Sequence, residues 1–361
     1  MNLANQNILF IVRTMGLGGT ENVVLQLCEI LSKKVNKIVV CSSGGVHEGK
    51  LKKMGIKHYT IPDIASKNPV DMAKCYMKIK FIIKKEQITV VHSHHRMAAF
   101  YAELTAPRNA IKIANAHNTF HDKKKLTHFA YHNTILIAVG EMVKKNLTDY
   151  FEMPENQVKV IHNAVKAFDG KIAPIEELQF EQAKGKILIG NIGRLSEQKG
   201  MEYFLEAVVI TARTHPEAYF VIVGDGELRE KLKEKVKILD IQDKVLFLGY
   251  RGDIQNVMSQ LDFVVLSSLW EGLPLTPIEA FSVGKTVIGT DVDGTPEIIR
   301  NNVDGYLIKP KNPKQLAEKM NVLIEHPEIK NLMENQAKKR YNDEFSFDKL
   351  KQRYLDFYEE L

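Results

Sequence analysis

Cysteine is scarce in this chain. Cys28, Cys41 and Cys75 are odd in number, widely spaced and set in apolar or helical contexts, which argues against a disulfide framework or a thiolate zinc site and points to a reducing compartment. Long hydrophobic runs are missing too. No stretch approaches the ~20 apolar residues of a membrane span, and residues 8–12 are too few for the core of a signal peptide. The opening Met-Asn-Leu-Ala-Asn-Gln-Asn supplies no basic residue in front of them. Short-period repeats and low-complexity tracts are absent. The expectation is a cytoplasmic chain that can rest on a membrane surface without crossing it, with no nucleic acid as partner.

What is there is an ordinary globular composition, 44% hydrophobic and 26% charged, spread over 361 residues, more than one hydrophobic core usually serves. Short apolar runs alternate with amphipathic stretches. Strands are expected at 8–12, 37–41, 58–61, 89–92, 111–114, 135–139 and 158–161, with helices between them, as at 20–31 and 71–85. Alternation of this kind predicts a parallel sheet covered on both faces. Residues 166–186 lose the periodicity and contain Gly170, Pro174 and Gly185, so they read as a linker. The pattern restarts with strands at 187–192, 219–223, 245–248, 262–266, 286–290 and 306–308. Two doubly wound α/β domains follow, at 1–165 and 187–344. The last segment, 345–361, reads as a helix with Phe347, Leu350, Tyr354, Phe357, Tyr358 and Leu361 near one face, which taken alone closes the second domain.

The most informative stretch runs from Leu266 to Phe281: Leu-Ser-Ser-Leu-Trp-Glu-Gly-Leu-Pro-Leu-Thr-Pro-Ile-Glu-Ala-Phe. A buried strand ends in a loop with Gly272, and a helix opens with Thr276 as N-cap, Pro277 at its first position and Glu279 at its third, the pattern of a capping box. Free N–H groups at that helix start make an anion site. Glu279 alone reads as a capping residue. Paired with Glu271, it reads as the second of two carboxylates able to accept forked hydroxyl hydrogen bonds from a sugar.

Glu271 and Glu279, with Gly-Leu-Pro-Leu-Thr-Pro-Ile between them, resemble the E-x7-E motif of the retaining nucleotide-sugar glycosyltransferases of GT-B fold, the glycosyl transferases group 1. The resemblance implies two Rossmann-like domains facing each other across a cleft, with the C-terminal helix at 345–361 packing back on the first. It places the donor's ribose on Glu279 and the transferred sugar on Glu271, with Gly272, Leu273, Leu275 and Thr276 lining the donor between them.

Other loops at strand ends fit the same comparison. Arg13-Thr-Met-Gly-Leu-Gly-Gly-Thr-Glu21 has Glu21 where a dinucleotide fingerprint needs its third glycine, so an NAD site is a poor match. Its Gly18 and Gly19, followed by Thr20 as a candidate helix cap, are similar to the family's diphosphate-facing turn. Gly193-Arg194 with Lys199-Gly200 is similar to the pattern that holds the donor diphosphate; read alone, each cation is a solvated surface group. Gly224 and Arg251 stand in ordinary glycine turns, where the family places base and ribose. Asp291-Val-Asp293 has the spacing of a metal motif, but GT-B enzymes do not depend on one, and the run lies in a loop similar to the family's glycine-rich loop. The family usually has glycine at position 293. His92, His94 and His95 could ligate a metal, yet no further ligand set accompanies them, so none is expected. His117 matches a family histidine that faces the reacting sugar; the alternative is a structural histidine. Gly140-Glu141 and Asn163-Ala-Val-Lys166 depart from the family's Ser-Glu and Asn-Gly-Val-Asp.

The resemblance implies a metal-independent retaining hexosyltransferase, with Glu271, His117, Arg194 and Lys199 at the reacting centre. No cofactor is expected. The expected donor is a UDP-sugar, with a GDP-sugar as the alternative, and the acceptor is a hydroxyl on a glycan of envelope or exopolysaccharide synthesis. An epimerase or hydrolase of the same fold, and a silent nucleotide-sugar-binding subunit, are the rival readings. Charge adds one more expectation. Residues 1–169 hold 24 lysines and arginines against 13 acids, a balance of +11, while the rest stands at −5. Clusters at 78–85 and 121–125 adjoin apolar residues, as a surface seated on the anionic inner face of the plasma membrane would require; a wet helix face is the alternative. A lipid-linked glycan would then be the acceptor.

Overall fold

The computed structural model describes residues 2–361 and forms two compact units. One runs to Asn163 and takes in Leu350–Leu361, and the other is Ala164–Lys349. All thirteen expected strands are present, with ends shifted by no more than two residues. In the first unit they are β1 Asn7–Ile11, β2 Lys37–Ser42, β3 Lys57–Thr60, β4 Val90–Ser93, β5 Ile111–Ala116, β6 Ile135–Ala138 and β7 Val158–Val160. They form one parallel sheet in the order β3-β2-β1-β4-β5-β6-β7. The second unit has β8 Ile187–Ile192, β9 Ala218–Val223, β10 Val245–Gly249, β11 Phe263–Leu266, β12 Val287–Thr290 and β13 Gly305–Ile308, parallel in the order β10-β9-β8-β11-β12-β13.

Near-continuous apolar runs produce this layout. In β1 and β11 every residue is buried, because helices cover both faces of a parallel sheet and leave no wet side. The order also fixes where ligands can bind. Strand order reverses between β1 and β4 in one sheet and between β8 and β11 in the other, and at such switch points the loops leaving the carboxyl ends diverge. The loop motifs singled out above follow the carboxyl ends of sheet strands, those at 140–141 and 163–166 among them, after β6 and β7.

Three local expectations fail. The helix Leu275–Ser282 begins before Thr276, with Pro274 in extended conformation as its N-cap and no side-chain capping bond, so Thr276 and Glu279 form no capping box. Pro274 pre-sets the entry and moves the start forward. Likewise Gly18, not Thr20, caps the helix Gly19–Leu31. The stretch read as a linker holds a helix, Glu176–Ala183, whose exposed Phe180 hid its amphipathic pattern. Asn256 and Gln260 accept the backbone N–H groups of Ala173 and Ile175 and tie the stretch into the second unit.

The last helix, Phe347–Glu360, begins in the second unit and ends in the first. Leu350, Tyr354, Phe357 and Tyr358 are buried, each stabilising by about 1.5–3 kcal/mol through removal of apolar surface from water. Their two hydroxyls find partners: Asn115 donates Nδ2–H to the Tyr354 oxygen at 2.7 Å, and the Tyr358 hydroxyl lies 2.6 Å from His92 Nδ1. Tyr358→Phe should therefore leave a buried imidazole nitrogen unpaired and cost about 1–2 kcal/mol. The measurement is the denaturant midpoint for unfolding of the first unit, with an unchanged slope; an unshifted midpoint would show that the hydrogen bond contributes nothing.

Candidate active site

The site in the second unit is built where the loops after β8 and β11 touch. Gly200 has φ 55° and a Cβ there would meet the Ser267 carbonyl oxygen at 2.3 Å, so only glycine lets these backbones approach so closely. Side chains then tie the loops together: Asn191 Nδ2 donates to Ser267 Oγ at 2.9 Å, and Ser267 Oγ donates to the Lys199 carbonyl at 2.9 Å. Leu269 N–H reaches the Gln198 carbonyl at 2.7 Å. These contacts fix Lys199, whose ammonium pairs with Glu271 Oε1 at 2.5 Å with both side chains largely buried. Ser268 Oγ donates to the same Oε1 at 2.6 Å. Oε2 of Glu271 takes part in neither bond.

Two further strands complete the frame. Gly224, with φ 138°, leaves so little room that a Cβ would meet the Gly193 carbonyl oxygen at 1.9 Å, so the loops after β8 and β9 also touch. From the loop after β12, Gly294 N–H donates to the Gly272 carbonyl at 3.0 Å, and the Asp293 carboxylate accepts Glu271 N–H at 2.7 Å. Asp293 has φ 42°. The position thus demands a left-handed backbone, which glycine meets freely and aspartate tolerates. Here the side chain adds a bond that glycine cannot make.

Glu279 stands in the first turns of the helix after Glu271. Burial pushes its carboxyl up to about 7, and the nearby Lys199 charge only partly offsets this. Lys199 therefore acts on both glutamates of the motif. Arg194, in the loop after β8, is exposed, while Arg251 is held by Asp253 at 2.7 Å. Leu273 and Thr276 are buried, and Leu275 opens the helix. Reading the sequence assigned no role to Asn191, Ser267 and Ser268, and noted Asp293 only as a departure from the family's glycine; the Ser-Ser pair at the end of an apolar strand was the available signal.

In the first unit Gly18 and Gly19 start the helix after β1. A Cβ on Gly18 would meet Glu21 Oε2 at 2.4 Å, and Glu21 accepts the Thr14 hydroxyl. Gly45, in the loop after β2, packs its α-carbon on the Met15 backbone at φ 152°. At the carboxyl ends of β4 and β5 lies a cluster of histidines. His92 Nε2 is 2.7 Å from Asn115 Oδ1, and His94 Nδ1 is 3.2 Å from His117 Nε2. His95 Nδ1 accepts Met97 N–H and caps the helix Arg96–Thr105. Burial holds all four imidazoles below their ordinary value, His92 at about 3 and His95 and His117 at about 4. Among the described residues no group of three or more His, Cys, Asp or Glu side chains could hold a metal ion.

Comparison with known proteins decides the family. The profile described as "Glycosyl transferases group 1" matches residues 174–340, and that described as "Glycosyltransferase Family 4" matches 17–167. The chain belongs to the group 1 glycosyltransferases. The transferase is 26% identical over 368 residues, 94% of each chain, to the Escherichia coli UDP-Gal:alpha-D-GlcNAc-diphosphoundecaprenol alpha-1,3-galactosyltransferase. It is also 26% identical to a Campylobacter jejuni alpha-1,4-N-acetyl-D-galactosaminyltransferase named for an undecaprenol-linked acceptor, across 96% of this chain and 97% of that one. Among solved structures, Anabaena HepE in complex with UDP-glucose superposes with a TM-score of 0.86 at 19% identity, covering 99% of this chain and 100% of that one. The fold of the transferase is GT-B.

The charge states of this transferase predict an acid response that differs between its units. Above pH 6.5 the histidines are neutral whether folded or unfolded. Below it the unfolded chain takes up protons that folded His92, His95 and His117 refuse until about 3 to 4, so the first unit loses stability by up to about 1.4 kcal/mol per histidine for each pH unit. Glu279 works in the opposite sense: its folded carboxyl binds a proton near pH 7, so the second unit gains stability as pH falls from about 7 to 4.5. Hydrogen exchange at pH 7 and pH 5 should show the first unit opening more at pH 5. Equal opening of both units would contradict these assignments.

Proposed function

We propose that this transferase moves a hexose-type sugar from a UDP-sugar to a hydroxyl of a lipid-linked glycan, with retention at the anomeric carbon and without a divalent metal. A GDP-sugar is the alternative donor. The observation that carries the reading is the Lys199–Glu271 pair at the switch point of β8 and β11, where family resemblance puts the donor. Arg194 and Lys199 would meet the diphosphate, on which negative charge grows as the glycosyl bond breaks; fixed cations there favour the transition state over the ground state. Glu271 would accept hydroxyls of the transferred sugar through Oε2, and Glu279 those of the ribose. Gly18, Gly19, Gly224 and Arg251 keep the donor-binding roles that the resemblance implies, as do Gly272, Leu273, Leu275 and Thr276. His117 would contact the transferred sugar.

Retention then proceeds on one face. The bond from the anomeric carbon to the phosphate oxygen breaks, the acceptor oxygen bonds on that same face, and its proton passes to the departing phosphate. No protein nucleophile is needed, and Glu271 is a poor candidate for one because Lys199 and Ser268 already draw on Oε1. Names among the relatives support the substrate class: UDP-galactose and an undecaprenyl diphosphate acceptor in one, UDP-glucose bound in a structural neighbour. Glu271→Ala and Arg194→Ala should each raise the barrier by ~3 kcal/mol while weakening UDP binding far less, in assays that run undiminished in excess chelator. Near wild-type turnover in either variant would remove its role. Nucleotide release without any added acceptor would favour an epimerase or hydrolase.

The acceptor side of the proposal rests on the helix Pro69–Lys85. Its outer face exposes Val70, Met77 and Phe81 amid Lys74, Lys78, Lys84 and Lys85, with Lys85 Nζ 5.2 Å from the Phe81 ring centroid. Apolar side chains ringed by cations suit an anionic bilayer surface, where each cation gains ~1 kcal/mol. The proposed location is the inner face of the plasma membrane. The protein should float with anionic liposomes at low salt and leave them at high salt. Binding should fall when Phe81→Ser is combined with Lys84→Glu and Lys85→Glu, and fall further when Lys123, Lys124 and Lys125 become Glu. Equal flotation with neutral vesicles would point to a soluble acceptor.

A further inference from the structure

The histidines at the carboxyl ends of β4 and β5 form a column whose protons can be assigned one ring at a time. Asn115 donates its Nδ2–H to Tyr354, so its carbonyl oxygen faces His92 and must accept from Nε2–H. A neutral imidazole has one proton, so His92 Nδ1 is an acceptor and takes the Tyr358 hydroxyl hydrogen at 2.6 Å. His94 stacks on His92 with ring centroids 4.7 Å apart and on His117 at 5.4 Å, both at 25°, and Phe10 lies against it at 5.8 Å. Its position leaves little freedom. Nδ1 is 3.2 Å from His117 Nε2, whereas Nε2 is buried and has no partner among the described residues.

One proton lies between the two rings, and its owner follows from the cost of the alternative. If His94 carried its hydrogen on Nε2, a buried N–H would be left without an acceptor, the rarer and costlier kind of unpaired group in proteins. On Nδ1 the hydrogen is donated to His117 Nε2, and only an imidazole lone pair stays unpaired. His117 Nε2 is then an acceptor and its own hydrogen sits on Nδ1.

We propose that His94 is a positioning residue that fixes His117 as an Nδ1–H donor, so that His117 offers a hydrogen bond to an oxygen of the transferred sugar and does not serve as a base. The proposal rests on the reading of His117 as a sugar contact. His92, Asn115, Tyr354 and Tyr358 take part by anchoring the column on which His94 stacks.

The test uses the full-length protein labelled with ¹⁵N-histidine and long-range ¹H–¹⁵N correlations at pH 7.5, with His117 assigned through His117→Gln. The wild type should show His117 protonated on Nδ1. His94→Asn, whose Nδ2 can take the place of Nδ1, should keep that form and most of the turnover. His94→Leu should let the Nε2–H form of His117 appear and lower kcat on the order of 10²-fold, the cost of one preorganised donor, with the KM for UDP-sugar within about twofold. An Nε2–H His117 in the wild type, or full turnover in His94→Leu, overturns the proposal. Should His94→Leu not fold, the wild-type spectrum and His94→Asn decide. An Nδ1–H His117 together with undiminished turnover in His117→Ala would keep the positioning and overturn instead the role of His117 in transfer.

Discussion

Parallel pairing is the constraint on which the rest of this molecule depends. Parallel strands need a crossover between each pair, and right-handed crossovers cover both faces with helices. Both faces are then dry, so polar groups can gather only where strands end. In the second unit Gly193, Arg194, Lys199, Gly224, Glu271 and Asp293 all lie in loops beyond carboxyl ends, and in the first unit so do Gly18, His94 and His117. The glycines at 200, 224 and 294 are the steric condition for the arrangement, since each lies where a Cβ would strike the backbone of a neighbouring loop. Topology chooses the end of the sheet, and close backbone contact brings the loops within reach of one another.

Within that frame the second unit is organised by a shortage of positive charge. Glu271 and Glu279 are both removed from most of the solvent, and Lys199 is the cation that influences both. Its ion pair with Glu271 is close and supported by Ser268, while Glu279 has only the more distant effect of the same charge and is pushed up to about 7. Two carboxylates at one spacing thus occupy different electrostatic states. The difference suits different duties: Glu271 is oriented by Lys199 and Ser268, whereas burial lets the Glu279 carboxyl hold a proton near pH 7.

Much of this was legible from residue order. Most strands show as short apolar runs because burial on both faces removes the alternation that would confuse them with other elements; the edge strands β3, Lys-His-Tyr-Thr, and β7, Val-Lys-Val, are exceptions. The E-x7-E spacing and the Gly-Arg and Lys-Gly pairs were visible for the same reason, as departures from apolar runs at strand ends. Helix starts were less legible. Thr276 and Thr20 are good caps by composition, but Pro274 and Gly18 take the position because backbone preference at one residue outweighs the side-chain bond at the next. Asp293 looked like an oddity against the family's glycine, and only its φ of 42° together with its bond to Glu271 N–H explains it. Partners distant in sequence, such as Tyr354 with Asn115 and Tyr358 with His92, leave no local trace.

The Lys199–Glu271 pair also bears on how binding and chemistry are linked. A buried ion pair loses hydration on both sides and stabilises a fold weakly, so its retention at 2.5 Å in a loop is better explained by what else either ion can contact. A diphosphate held at Lys199, as proposed, would compete with Glu271 for the same ammonium. Were the Lys199 ammonium taken by phosphate, Oε1 of Glu271 would keep only its hydrogen bond from Ser268, and Oε2 would stay open as an acceptor. In such a site Lys199 and Glu271 keep each other as partners until a ligand supplies a better one.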